Sequence, residues 1–381
     1  MDNISTQKNI AIKNSSEERE SLRIKTDINK ICNISSRWYY ASIILLAIIS
    51  LIVAFLILDN SGNEIQKIST IFESFDYKLL CILIVCFFIL LLLKTLPVFL
   101  RIFSKSKSKN YLTVFGGVVA SEFYSRVTIC AKGKNPTFAY ILNKRGMAND
   151  VAIDCVYGKS FNEKFSFLIY SLVIMLIGIF AWSKNTNVLL LVIGIIVLLV
   201  NLINVVFVLM FNVNKKKTLE QLSKIIRLAY SINLIKDYEK VYNSTVDKLI
   251  IAVKDLKTNK SILFVDFISN ILRYFLMTGV IYVSIVSLNF ADGSILGELL
   301  FKYVILKLIL DAWPLQKGMF IVELIFIILF KNLFFEGYVF WGLVFYRLID
   351  YFAYIIAFCI YKIFATIKDN KIASEENLKW F

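Results

Sequence analysis

The lysines and arginines of this chain crowd into every second connection between long apolar segments. Six segments, 37–58, 79–103, 165–182, 188–213, 262–289 and 338–364, approach or exceed the roughly 20 residues a helix needs to cross a bilayer. Basic residues in short loops stay on the cytoplasmic side, so their alternation orients the spans. Residues 1–37 carry seven Lys/Arg and connection 214–260 carries eleven. Connection 59–78 instead holds Asp59, Glu64, Glu73 and Asp76 against Lys67 and Lys78, and 290–298 holds Asp292 and Glu298 with no basic residue. Both termini are therefore expected in the cytoplasm, with the chain crossing a cell (inner) membrane several times.

Composition agrees with the spans. Of 381 residues 58% are hydrophobic, far beyond what a soluble domain of this size carries. A net charge of +15 in a soluble protein would point to nucleic acid, but no recognition module is visible, and the charge lies beside apolar spans. Its expected partner is an anionic inner leaflet, not nucleic acid. The six cysteines form no CxxC pair and no histidine is present, so no zinc site or cofactor is indicated.

Two stretches do not fit as ordinary loops. By the charge rule both ends of 111–157 lie inside, yet YLTVFGGVVASEFYSRVTICA at 111–131 is too apolar for a solvated connection. It reads as a re-entrant hairpin turning near Gly133–Pro136. Likewise 299–335 begins and ends outside, with two short apolar limbs separated by Pro314 and Gly318. The expected fold is an all-α polytopic membrane protein: about six full transmembrane helices plus two re-entrant helical hairpins in an inverted repeat. Repeat one spans 37–182 and repeat two 188–364, flanked by cytoplasmic tails at 1–36 and 366–381. Inverted repeats with helices broken at membrane depth are an architecture of secondary transporters.

Ionisable residues at such depth are costly and demand a reason. Glu122 and Arg126, and Lys307 and Asp311, are spaced i, i+4 in the two hairpins. Each pair either neutralises itself as a structural feature or offers one partner to a lipid headgroup. Asp266 and Arg273 share one face of the fifth span, and Arg347 and Asp350 lie three apart on the last. Glu323 stands alone in an apolar limb, while Lys94 and Lys362 read as side chains snorkelling from span ends. The breaks at Pro136 and Gly318 are either structural kinks or the starts of half-helices that present a positive dipole end to an anion. Loop 214–260 has Leu219, Leu222, Ile225, Ile226 and Ala229 along one helical face and lysines on the other, which fits either one or two helices lying on the inner leaflet or a solvated connector.

PLQKGMFIVELIFIILF (314–330) with FYRLIDY (345–351), and NPTFAYILNKRGMANDVAIDCV (135–156), resemble the two signatures of the flippase-like, lysylphosphatidylglycerol synthase transmembrane-region family. Pro314, Gly318, Glu323, Arg347 and Tyr351 fall on the second signature, and Pro136, Leu142 and Gly146 on the first. Thr137 and Phe138 replace a glycine-rich acidic step, and Gly158 and Lys159 a Glu-Arg pair. The resemblance covers roughly 36–365. It implies movement of phospholipid, including aminoacylated phosphatidylglycerol, or of polyprenyl-linked lipid between leaflets, with a separate lipid-modifying enzyme as a possible partner. The headgroup candidates are then Glu122, Arg126, Pro136, Lys307, Asp311, Pro314, Gly318, Glu323, Arg347 and Tyr351. The alternatives are the membrane portion of a phosphatidylglycerol lysyltransferase lacking its acyltransferase domain, and a non-transporting membrane scaffold.

Overall fold

The computed structural model describes residues 37–60, 65, 77–106, 111–127, 133–145, 147–183, 186–232, 237–256, 260–287, 295–312, 320–334 and 337–364. Of these, 95% are helical. Among the described residues five helices are long and apolar enough to cross a membrane, which marks the chain as an α-helical membrane protein.

In chain order the helices are α1 (Arg37–Asn60), α2 (Tyr77–Ser106), α3 (Tyr111–Val127), α4 (Lys134–Lys144), α5 (Asn149–Trp182) and α6 (Val188–Val213). They continue with α7 (Lys215–Ser231), α8 (Tyr238–Leu256), α9 (Lys260–Ser287), α10 (Leu296–Ala312), α11 (Ile321–Phe330) and α12 (Val339–Phe364). The five long apolar helices are α2, α5, α6, α9 and α12, each overlapping an expected span. The described apolar stretch of α1, Ile44–Asp59, is shorter.

Local chemistry sets several boundaries. Asn187 caps α6, its side chain accepting from Leu189 N and Leu190 N at 3.0 and 3.3 Å. Asn214 works on two helices at once. Its backbone N–H closes α6 on the Met210 carbonyl at 2.8 Å, while its side chain caps α7 by accepting from Lys217 N at 3.1 Å. Pro136 sits in the first turn of α4, where a missing donor costs no helical hydrogen bond.

One expectation changes substantially. The third span, expected at 165–182, belongs to a helix that already begins at Asn149. At 34 residues α5 is about 51 Å long, well beyond a hydrocarbon thickness of roughly 30 Å. Its first half carries Asp154, Lys159 and Glu163, which break the apolar run, and its residues 149–157 fall in the stretch expected as the end of the first re-entrant hairpin. In the fold those residues face other helices: α4, α8 and α9 all pack on α5.

The centre is a greasy core drawn chiefly from α2, α9, α10, α11 and α12, including Leu90, Ile281, Val304, Phe326 and Leu343. The paired helices α3 and α4 have their own cluster with α2 and α5, around Val98, Val118, Phe138 and Val156. A Cβ on Gly117 would lie 2.5 Å from the Phe138 ring, so this glycine sets how closely α3 and α4 approach. The same device joins α5 to α10, where a Cβ on Gly178 would lie 2.0 Å from the buried Phe301 ring. Helices α7 and α8 pack through Leu222, Ile226, Leu249 and Ala252 onto Phe161 and Leu168 of α5 and Val205, Val208 and Phe211 of α6. Along α6, Leu199, Val200 and Ile203 are exposed, as a lipid-facing helix would be.

Contacts recur between the halves. α1 packs on α3 as α6 packs on α10, and α2 packs on α3 as α9 packs on α10. α2 packs on α5 as α9 packs on α12, and α3 on α4 as α10 on α11.

Candidate functional site

A cavity of about 80 Å³ lies where α2, α3, α4, α5, α9, α10, α11 and α12 converge. Its lining includes nine charged side chains: Lys94, Glu122, Arg126, Lys134, Glu163, Arg273, Lys307, Asp311 and Asp350. Four of the five long apolar helices contribute one each, and the remainder come from the short helices α3, α4 and α10. Charges in helices of this length and apolarity are expensive unless they pair or meet water.

Here they pair in an alternating chain. Glu122 on α3 receives Lys94 of α2 at 2.9 Å and Arg126 of its own helix at 2.8 Å. Lys134, at the start of α4, lies 3.7 Å from Glu122 and 3.3 Å from Glu163 of α5. Glu163 then holds Arg273 of α9 at 2.7 Å. At the other end Arg126 reaches Asp350 of α12 at 3.4 Å. Tyrosines finish the shell: Lys94 donates to the Tyr354 hydroxyl at 3.0 Å, and Arg126 lies 3.8 Å from the Tyr354 ring centroid. Across the cavity Lys307 and Asp311 form an ion pair within α10.

A local irregularity makes this possible. Leu348–Phe352 is a π-helical turn inside α12. In a regular α-helix residues three apart, as Arg347 and Asp350 are, share a face. The wider turn separates them. Arg347 points to Glu323, while Asp350 faces the cavity and Arg126, whose Nε also donates to the Asp350 carbonyl.

The ten headgroup candidates divide accordingly. Glu122, Arg126, Lys307 and Asp311 line the cavity. Pro136 is buried in the first turn of α4 without lining it. Pro314 and Gly318 lie outside the described residues, as does Gly146. Glu323 and Arg347 form a separate buried pair between α11 and α12, joined by Arg347 Nε to Glu323 Oε1 at 2.8 Å. Ser50 of α1 donates to the same carboxylate at 2.9 Å, and Tyr351 lies buried beside it with Arg347 5.8 Å from its ring centroid. This trio does not line the cavity; it ties α1, α11 and α12 together.

Lys94 is a correction to the sequence reading. It does not snorkel from a span end; it is 8% exposed in the middle of α2 and paired with Glu122. The helix runs on for twelve residues to Ser106, so the side chain cannot reach the end, and a carboxylate is near instead. Asp266 and Arg273 also do not share a partner: Asp266 takes Arg101 of α2 at 2.6 Å, and Arg273 takes Glu163. Sequence reasoning missed Lys134 and Glu163 altogether. Their signal was present as charges at the edge of an apolar run, but nothing local says that a charge at 134 meets one at 163.

Comparison with protein-family models, with characterised proteins and with solved structures finds no match to this chain.

Proposed function

We propose that this protein moves a lipid between membrane leaflets. The headgroup of an anionic or aminoacylated phospholipid, or of a polyprenyl-linked lipid, passes through the charged cavity while its acyl tails remain in the bilayer. The carrying observation is a cavity in the middle of an apolar bundle, walled by charges from both short-helix pairs and four long helices.

A second regularity supports the reading. Helices α3 and α10 are both 17 residues long. Each carries its i, i+4 ion pair at the twelfth and sixteenth residues, and the signs are reversed: Glu122 and Arg126 in one, Lys307 and Asp311 in the other. With the recurring contacts this favours two inverted units, each with a re-entrant pair, α3–α4 from the inside and α10–α11 from the outside. Basic residues of α7, including Lys215, Lys216 and Lys217, would then rest against an anionic inner leaflet beside the exposed Ile225 and Leu228.

The test is leaflet exchange of fluorescent phosphatidylglycerol in proteoliposomes, read by dithionite quenching. Wild type should exchange label, and Arg126→Gln, which leaves the cavity intact but removes its central fork, should slow exchange about tenfold or more. Absence of exchange for phosphatidylglycerol, its lysyl ester and a polyprenyl phosphate would refute the reading and leave the scaffold role. Lysylated lipid formed from charged tRNA would instead favour the transferase alternative. Topology is checked in a cysteine-free background. Asn143→Cys and Lys217→Cys should label from one side and Asn187→Cys from the other.

A further inference from the structure

One corner of the cavity carries more positive charge than its carboxylates can balance. Among the described residues lining this cavity and its smaller neighbour on α2, α3, α4, α5, α9 and α12, five cations (Lys94, Arg126, Lys134, Lys159, Arg273) face three carboxylates (Glu122, Glu163, Asp350), and the nearby Asp266 is paired with Arg101. Lys307 and Asp311 cancel each other across the cavity. By formal charge, positives therefore exceed negatives by two in surroundings that solvate charge poorly.

The donors are also under-used. Lys159 is 9% exposed, and its ammonium donates to the Lys94 carbonyl at 2.9 Å without meeting a carboxylate within ion-pair distance. It lines a smaller adjoining cavity whose walls share Glu122, Lys134 and Glu163 with the larger one. Lys134 has only the two long contacts at 3.3 and 3.7 Å, against the three donors an ammonium offers. Arg273 commits Nη2 alone, to Glu163 at 2.7 Å and the Tyr274 hydroxyl at 3.2 Å. Its other guanidinium donors remain for a ligand. Asn135, beside Lys134 in the first turn of α4, lines the smaller cavity and adds the positive end of an 11-residue helix.

We propose that this corner is a phosphoryl subsite. Lys94, Lys134 and Arg273 would donate to a tetrahedral oxyanion from α2, α4 and α9, and Lys159 acts on it through charge from behind. An ammonium–guanidinium set suits an anion with several acceptor oxygens better than a halide, because the fork engages two oxygens together. A phosphodiester neutralises one of the two surplus charges and a phosphomonoester up to both, so monoesters bind more tightly. The lipid source of that phosphate, though not the subsite, rests on the translocation reading.

The full-length protein in an uncharged detergent is titrated with inorganic phosphate, phosphatidate, phosphatidylglycerol and phosphatidylcholine, following the thermal midpoint, which a bound ligand raises. The expected order is phosphatidate above phosphatidylglycerol, with phosphatidylcholine inert. Lys134→Gln and Lys159→Met should each weaken phosphatidate at least about tenfold, while Lys134→Arg and the exposed Lys254→Gln leave it near wild type. Binding of phosphate without either lipid supports the subsite and refutes the lipid as its source. Lipid binding without leaflet exchange supports the subsite and refutes translocation. No midpoint shift with any phosphate probe, or titrations unchanged in both Lys134→Gln and Lys159→Met, overturns the proposal. The wild-type ranking decides the matter even if a variant fails to fold.

Discussion

Glu163 is the hinge of the charge network, and replacing it by glutamine removes a negative charge while keeping the shape. Its two oxygens hold Arg273 at 2.7 Å and Lys134 at 3.3 Å. At an effective dielectric of about 20 those contacts carry a gross attraction of roughly 5–6 kcal/mol each. Most of that is returned as desolvation, and removing one partner of a fully buried pair costs about 3–5 kcal/mol. Glu163 faces the cavity with 22% of its side chain exposed, and Lys134 keeps a contact to Glu122 at 3.7 Å. Arg273 retains its stack 5.0 Å from the Tyr274 ring. The expected loss is therefore toward the lower end, about 2–3 kcal/mol. At roughly 1.3 °C per kcal/mol for a chain of this length, the melting midpoint falls about 3–4 °C. The five tryptophans give the readout by intrinsic fluorescence in detergent. The same change raises the local surplus of positive charge, so Glu163→Gln should bind phosphatidate more tightly than wild type and recover part of its midpoint when the lipid is present. A loss below about 0.5 kcal/mol would mean that Glu163 behaves like a screened surface charge, and the network described here would not exist.

Other expectations follow from packing and pairing. Gly178→Ala drives a Cβ against the buried Phe301 ring and should cost about 1–3 kcal/mol in detergent melts, while Gly279→Ala, with open space around it, should be neutral or slightly stabilising. Glu323→Gln breaks the buried α11–α12 pair and should lower stability by about 3 kcal/mol or more, yet leave phosphatidate affinity within about twofold, because the pair does not line the cavity. An affinity loss comparable to that of Lys134→Gln would return Glu323 to the site. Replacing Lys215, Lys216 and Lys217 together by glutamine should reduce lipid-dependent stabilisation by anionic nanodiscs while sparing that by inorganic phosphate; equal loss of both would place these lysines at the site instead.

Much of the helical layout was legible because it depends on quantities that run along the chain. Apolar length located the helix at 188–213 to the residue and those near 79–103, 262–289 and 338–364 within three. The break at Gly133–Pro136 marks the start of α4, since a chain entering a helix there needs no donor from proline. The i, i+4 pairs of α3 and α10 were readable for the same reason: helical spacing alone brings Glu122 to Arg126 and Lys307 to Asp311.

What failed to show in the sequence is partnership at a distance. Asp154, Lys159 and Glu163 interrupt the apolar run over the first 16 residues of α5, and the ion pairs of Asp154 with Lys105 and of Glu163 with Lys134 and Arg273 exist only once other helices pack there. Lys94 reads as a snorkelling side chain until α3 delivers Glu122 to it, and Arg347 and Asp350 read as neighbours until a π-turn sends them to different helices. The order of residues determined where helices run and which connections are basic, since hydrophobic length and loop charge are local sums. Only the folded bundle decided which charges meet, because ion pairing depends on separations of a few ångströms between helices that lie tens of residues apart.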